Sequence, residues 1–146
     1  MANTVGTRTP AQLAAMVFGA VFLVVGIAGF IPGLTTDYDL MKFAGPDSMA
    51  MLLGVFCVSI LHNIVHLLFG IAGLALARTH AGAVQFLIVG GAIYAVLWLY
   101  GLLINQDSAA NFVPINTADN WLHFFLALAM LGLGFALRGR TARRSV

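Results

Sequence analysis

Residues 11–31 read AQLAAMVFGAVFLVVGIAGFI, an apolar stretch with no charged side chain, closed by Pro32-Gly33. About 20 such residues are what an α-helix needs to cross the hydrocarbon of a bilayer. Lipid offers no hydrogen-bond partner to the backbone, so a spanning segment of this kind must be helical. The stretch exceeds the apolar core of a cleavable signal peptide, and no A-x-A cleavage pattern follows between Gly33 and Asp39.

Three further apolar runs lie downstream, and together they predict an all-α, integral-membrane bundle of four transmembrane helices over residues 11–137. The second run extends over 49–77, with Asp47 or Ser48 after Pro46 as its N-cap. The third covers 82–104. The fourth covers 121–137 and follows Thr117-Ala118-Asp119-Asn120, a favourable helix start. The link Arg78-Thr79-His80-Ala81 is so short that spans two and three are expected to be antiparallel neighbours. Residues 1–10 form an N-terminal tail and residues 138–146 a basic C-terminal one.

Composition agrees. Of 146 residues, 61% are hydrophobic and 8% charged, against about 25% charged in a soluble domain. So few charges cannot cover a water-facing surface, so lipid is the expected partner for most of it. The net charge of +2 and the lack of a basic domain exclude nucleic-acid binding. Cys57 is the single cysteine; it has no intramolecular partner and reads as a packing residue.

The positive-inside rule sets orientation. Arg8, Arg78, Arg138, Arg140, Arg143 and Arg144 fall on one side, and Lys42 alone on the other. That places both termini and the middle turn in the cytoplasm, and the Arg-over-Lys and Ala- and Gly-rich usage points to a bacterial plasma membrane. The outer loops, 33–48 and 105–120, then hold all five acids: Asp37, Asp39, Asp47, Asp107 and Asp119. These read as solvated, orientation-setting charges. Both halves run span, outer loop, span, and Gly26-Ile27-Ala28-Gly29 recurs as Gly70-Ile71-Ala72-Gly73. The match pairs spans of opposite direction and carries little weight.

Helical residues advance about 100° each, which sorts every span into a small or polar face and a bulky one. Ala15, Gly19, Phe22, Gly26, Gly29 and Gly33 share a side in span one. Ser59, His62, Asn63, His66, Gly70, Gly73 and Ala77 do so in span two. Gly90, Gly91, Tyr94, Trp98, Gly101 and Asn105 do so in span three, and Asn120, His123, Ala127, Met130 and Gly134 in span four. Small residues let backbones approach where lipid provides no hydrophobic drive, so these faces should meet inside. Trp121, Tyr100 and Phe112 suit the outer interface belt.

His62, Asn63 and His66 therefore lie inside a span, where polar side chains are costly and turn towards protein. At 1.5 Å per residue, His66 stands about 18 Å and His62 about 24 Å above Arg78, and His123 about 22 Å above Arg138. Three imidazoles reach one level in the outer half of the membrane. They read as interhelical hydrogen-bond glue with Ser59, Asn63, Tyr94 and Asn120 as partners, as ligands of a haem or a divalent metal, or as groups that handle a proton or small ligand. His80, in the cytoplasmic turn, reads as solvated. Nucleophilic catalysis is disfavoured: Ser59 lies about one turn from His62, but no intramembrane acid completes a triad.

The run His62-Asn63-Ile64-Val65-His66-Leu67-Leu68-Phe69-Gly70 resembles the central motif of a bacterial family described as domain of unknown function 4383. So do Gly26-Ile27-Ala28-Gly29-Phe30-Ile31-Pro32-Gly33 and Asn120-Trp121-Leu122-His123. The resemblance implies a small four-helix membrane protein and groups His62, Asn63, His66 and His123 as one set. It supplies no activity. The expectation is a non-enzymatic accessory or assembly subunit of a membrane complex, with a membrane-protein partner or a second copy of itself. The alternatives are a haem- or metal-binding redox protein, or a small transporter or lipid-binding protein.

Overall fold

The computed structural model describes residues 7–140. The N-terminal residues 1–6 and the tail beyond Arg140, with Arg143 and Arg144, lie outside them. Four helices carry the chain: α1 (Pro10–Ala28), α2 (Ile60–Leu76), α3 (His80–Leu103) and α4 (Thr117–Leu137). Of these, α1, α3 and α4 are long and apolar enough to cross a membrane. The fourth, α2, has 17 residues, about 25 Å of helix. That is short of the roughly 30 Å hydrocarbon thickness.

The shortness of α2 corrects the expectation of one helical run over 49–77. Residues 49–59 instead build a hairpin of β2 (Met51–Leu52) and β3 (Phe56–Cys57), and β1 (Thr35–Thr36) joins it in an antiparallel sheet of order β1-β2-β3. Thr35 pairs with Leu52 and Met51 with Cys57. The architecture is thus a helical bundle with a small sheet at one end, not purely α. The turn between β2 and β3 needs two successive left-handed residues, Leu53 (φ 54°) and Gly54 (φ 69°), and Gly54 takes that conformation without a Cβ penalty. The N-cap of α2 is Ser59, whose Oγ accepts from the His62 amide at 3.1 Å. Ser48, expected as a cap, ties the loop instead: its hydroxyl donates to the Val58 carbonyl at 2.6 Å. A sheet with open edges is not tolerated against hydrocarbon, so in a bilayer this end of the bundle would have to lie beyond the lipid core.

The helices pair as α1 with α2 and α3 with α4, and α1 also crosses to α3. The expected neighbours α2 and α3 meet near their turn and pack less closely along their length. Glycines set the close pairs. A Cβ on Gly19 would lie 2.9 Å from the Leu74 amide and 3.1 Å from the Gly70 carbonyl. One on Gly91 would lie 2.8 Å from the Leu131 amide. All seven residues assigned to the inner face of α2 are buried, as are the five of α4. Gly33 and Asn105 are exposed, because α1 and α3 have ended before them.

At the end nearer the termini, side chains lock the helix ends. Thr9 caps α1 in a reciprocal box with Gln12, with Pro10 in the first turn, an arrangement typically worth about 1 kcal/mol. Gln12 Nε2 donates to the carbonyls of Ala77 (3.0 Å) and Arg78 (3.1 Å). His80 is not merely solvated: its Nδ1 lies 3.0 Å from Thr9 Oγ1 and its Nε2 3.0 Å from the Arg138 carbonyl. One imidazole therefore joins the starts of α1 and α3 to the end of α4.

Candidate functional site

At the opposite end, two loops and the sheet roof the bundle. Gly45 N donates to the Phe112 carbonyl at 2.7 Å, and Asn116 Nδ2 donates to the Val55 carbonyl at 2.8 Å. Asn111 folds the second loop on itself, accepting from Ile115 N at 3.0 Å and donating to the Ile115 carbonyl at 3.0 Å. Tyr100 steadies the same loop through its hydroxyl, which donates to the Ala110 carbonyl at 2.6 Å. Tyr100, Phe112 and Trp121 are all exposed here.

Beneath the roof, His62, His66 and His123 come together from two helices. The rings of His62 and His66, one turn apart on α2, have centroids 4.6 Å apart. His123 enters from α4, its ring 5.2 Å from that of Tyr94. All three line two small cavities, of about 110 Å³ and about 100 Å³. Tyr94, Leu97, Phe112, Val113 and Ile115 close the first. Val25, Leu52, Phe56, Val58 and Asp119 help to close the second.

The imidazoles do not have the partners expected of glue. His62 Nδ1 lies 3.0 Å from the Cys57 carbonyl, so this nitrogen carries its proton. The Nδ1 atoms of His66 and His123 are buried with no hydrogen-bond partner among the described residues. Among the described residues, no hydrogen bond joins an imidazole to the side chain of any of the four expected partners. Ser59 caps α2. Asn63 packs against Gly29 at the end of α1, and Asn120 packs against Gly101 near the end of α3. Their Oδ1 atoms are also buried and unpartnered. Tyr94 stacks on Phe22 at 5.5 Å. Trp98 packs on Phe124, with ring centroids 4.9 Å apart, and its indole Nε1 is buried without a partner. Each buried polar atom left unpaired costs about 1–3 kcal/mol.

Asp119 belongs to this site, although as a residue of the outer loop it read as a solvated charge. It is buried in the first turn of α4 and lines the second cavity. Its Oδ2 accepts from the amides of Cys57 (2.9 Å) and Asn116 (2.9 Å). A signal for it exists in the sequence: Asn116 and Asp119 stand at capping-box spacing, and Asp119 precedes His123 by four residues, so both share a helical side. Cys57 is drawn in with it. Its thiol donates to the Ser48 carbonyl at 3.3 Å, and burial, followed by the nearby Asp119 charge, pushes the thiol up to about 11.

The geometry narrows the chemistry. Among the described residues, no three His, Cys, Asp or Glu side chains converge so as to hold a metal ion. The cavities are well below the roughly 300–1,000 Å³ of pockets that enclose larger organic ligands, so a haem does not fit between these histidines as they stand. Each cavity does have room for a few waters or one small molecule. Towards the termini the site is plugged by stacked aromatics. Phe22 lies 6.0 Å from His66 and 5.5 Å from Tyr94, and Phe69 packs against Tyr94 at 5.5 Å and Phe86 at 6.2 Å.

Fold and site together define a small apolar helical bundle whose polar interior is confined to one roofed end. The chain belongs to the family described as domain of unknown function 4383, whose model matches residues 12–136. Neither the curated proteins nor the solved structures give a match.

Proposed function

We propose that this chain is a non-enzymatic, multi-pass protein of the bacterial plasma membrane that holds a small hydrogen-bonding molecule in the roofed chamber. Both termini lie in the cytoplasm, which puts the chamber in the outer half of the membrane. The observation that carries the reading is the pair of unpartnered imidazole nitrogens, on His66 and His123, of side chains that line the two cavities. A site built to bind leaves polar atoms waiting for a ligand, whereas packing glue would have paired them. His62, Tyr94 and Asp119 add polar groups to the same walls. The aromatic plug below His66 favours binding from the roofed side over passage through the bundle.

The test is to purify the protein in mild detergent and extract it for small-molecule mass spectrometry, with absorption spectra and metal analysis of the same sample. A molecule present in the wild type and lost from the His66→Phe, His123→Phe double variant supports the reading. A colourless, metal-free wild type whose extract matches that of the double variant counts against it.

The accessory-subunit reading draws on a different surface. A polar amide, Gln85, stands exposed on the otherwise apolar outer face of α3, and a partner helix would satisfy it.

A further inference from the structure

Arg8 and Arg78 meet at the end of the bundle opposite the roof. Arg8 immediately precedes Thr9, the N-cap of α1, and Arg78 immediately follows Ala77, the C-cap of α2. Distant in the chain, the two arginines line one cleft of about 460 Å³ between these helices. Gln12, Met16, Leu74 and Ala77 complete its walls. Met16 lies one turn beyond Gln12, and Leu74 one turn before Arg78. Each is about 6 Å further into the bundle. The cleft is thus cationic at its mouth and apolar deeper in.

The local hydrogen bonds prepare it for an anion. Gln12 Nε2 donates to the carbonyls of Ala77 and Arg78, which clamps the end of α2 to the start of α1. Carbonyl oxygens at a helix C-terminus carry the negative end of its dipole and would repel an anion. Here they are occupied. Gln12 takes two, and the carbonyls of Ala75 and Leu76 accept from the amides of Arg78 and Thr79, both at 3.4 Å. The start of α1 adds the positive end of its own dipole.

No acidic side chain balances the pair. Asp37, Asp39, Asp47, Asp107 and Asp119 all belong to the roofed end, about 25 Å away along α2. Two cations held in one cleft without a counter-charge draw in an anion. The fork of a guanidinium matches the oxygens of a phosphate group. The remaining walls say which phosphate. A free phosphate would leave Met16 and Leu74 unused, whereas a phospholipid would lay its first methylenes against them. Basic pockets between transmembrane helices at the cytoplasmic surface take anionic headgroups in this way, and this is the cytoplasmic end in the orientation proposed above.

We infer that the cleft between α1 and α2 binds the phosphodiester headgroup of an anionic phospholipid, with Arg8 and Arg78 on the phosphate and Met16 and Leu74 along the chain. The inference rests on the reading of the chain as a membrane protein. It is independent of what the chamber holds, since the two sites occupy opposite ends of the bundle.

The experiment uses the full chain in mild detergent. Native mass spectrometry counts bound lipids as dioleoylphosphatidylglycerol or dioleoylphosphatidylcholine is titrated in. One basic side chain near the surface is worth about fivefold in affinity for an anionic lipid. The first phosphatidylglycerol should therefore bind roughly thirtyfold more tightly than the first phosphatidylcholine. Arg8→Gln and Arg78→Gln should each remove about fivefold of this preference, and together they should erase it. Arg138→Gln with Arg140→Gln, outside the cleft, should leave most of it. All four positions are exposed, so circular dichroism of each variant should match the wild type. Glycerophosphoglycerol, the same phosphodiester without chains, should not displace the lipid at equal concentration. A wild type that binds both lipids equally, or a preference that survives the Arg8, Arg78 double variant, would overturn the inference. So would an equal loss in the Arg138, Arg140 variant. Competition by glycerophosphoglycerol as strong as that of the lipid would also overturn it, and would make the cleft a site for free phosphate esters.

Discussion

Replacing His66 with Phe separates the two physical readings of the histidine cluster by sign. If the imidazoles were interhelical glue, each lost bond would destabilise the bundle by about 0.6–2 kcal/mol. The structure argues the reverse. His66 Nδ1 is buried without a partner, and an orphaned buried polar atom costs about 1–3 kcal/mol that an apolar replacement recovers. The larger ring has somewhere to go, because cavities of about 110 and 100 Å³ adjoin the position. Phe22 already lies nearly parallel to the His66 ring, at 6.0 Å and 15°, so the new ring keeps an aromatic neighbour worth about 0.5–1.5 kcal/mol. Water in the cavities would cancel part of the gain. The expected outcome for His66→Phe, and likewise for His123→Phe, is therefore between no change and about 3 kcal/mol of added stability. Reversible unfolding in mixed micelles with rising SDS, followed by circular dichroism, measures it. The protein should first be dialysed to remove bound molecules, which would stabilise the wild type by mass action. A loss of more than about 1 kcal/mol in either ligand-free variant would show the imidazoles to be paired interhelical bonds and would refute the chamber.

The other predictions concern the roof and the close helix pair. Asp119→Ala strands the amides of Cys57 and Asn116 and should cost about 2–4 kcal/mol in the same unfolding assay. Asp119→Asn keeps an acceptor there and should cost less. Because the Cys57 thiol is pushed up to about 11, the neutral thiol dominates below that pH, and its maleimide labelling should rise about tenfold per pH unit between pH 8 and 10. A labelling rate already level at pH 9 would contradict the burial that raises it. Gly19→Leu puts a side chain where backbone atoms of α2 already lie within about 3 Å of the position its Cβ would take, and should cost roughly 3 kcal/mol or more. Gly132→Leu, in open space on α4, is the control and should leave the melting temperature nearly unchanged.

Much of the bundle was legible because helix faces are a local property. Ser59, His62, Asn63, His66, Gly70, Gly73 and Ala77 share a side through helical periodicity alone, and each is buried. The three histidines were expected at one level because rise per residue is fixed, and they do line the same cavities. The hairpin was missed through local ambiguity. Residues 49–59 are as apolar as a helix interior, and periodicity cannot tell a short apolar strand from a buried helix. Gly54 inside that run was the available sign of a turn.

Composition and periodicity act on each segment separately. They were enough to make lipid the expected solvent, to require four helices and to say which face of each turns inward. Packing in three dimensions was needed to fold residues 49–59 into a roof, to bury Asp119 under it, and to leave the Nδ1 atoms of His66 and His123 without partners beside small cavities. Those outcomes depend on contacts between residues far apart in the chain. A hydrogen bond such as that from the Cys57 amide to Asp119, or the lack of one at His66 Nδ1, exists only once separate elements are packed together.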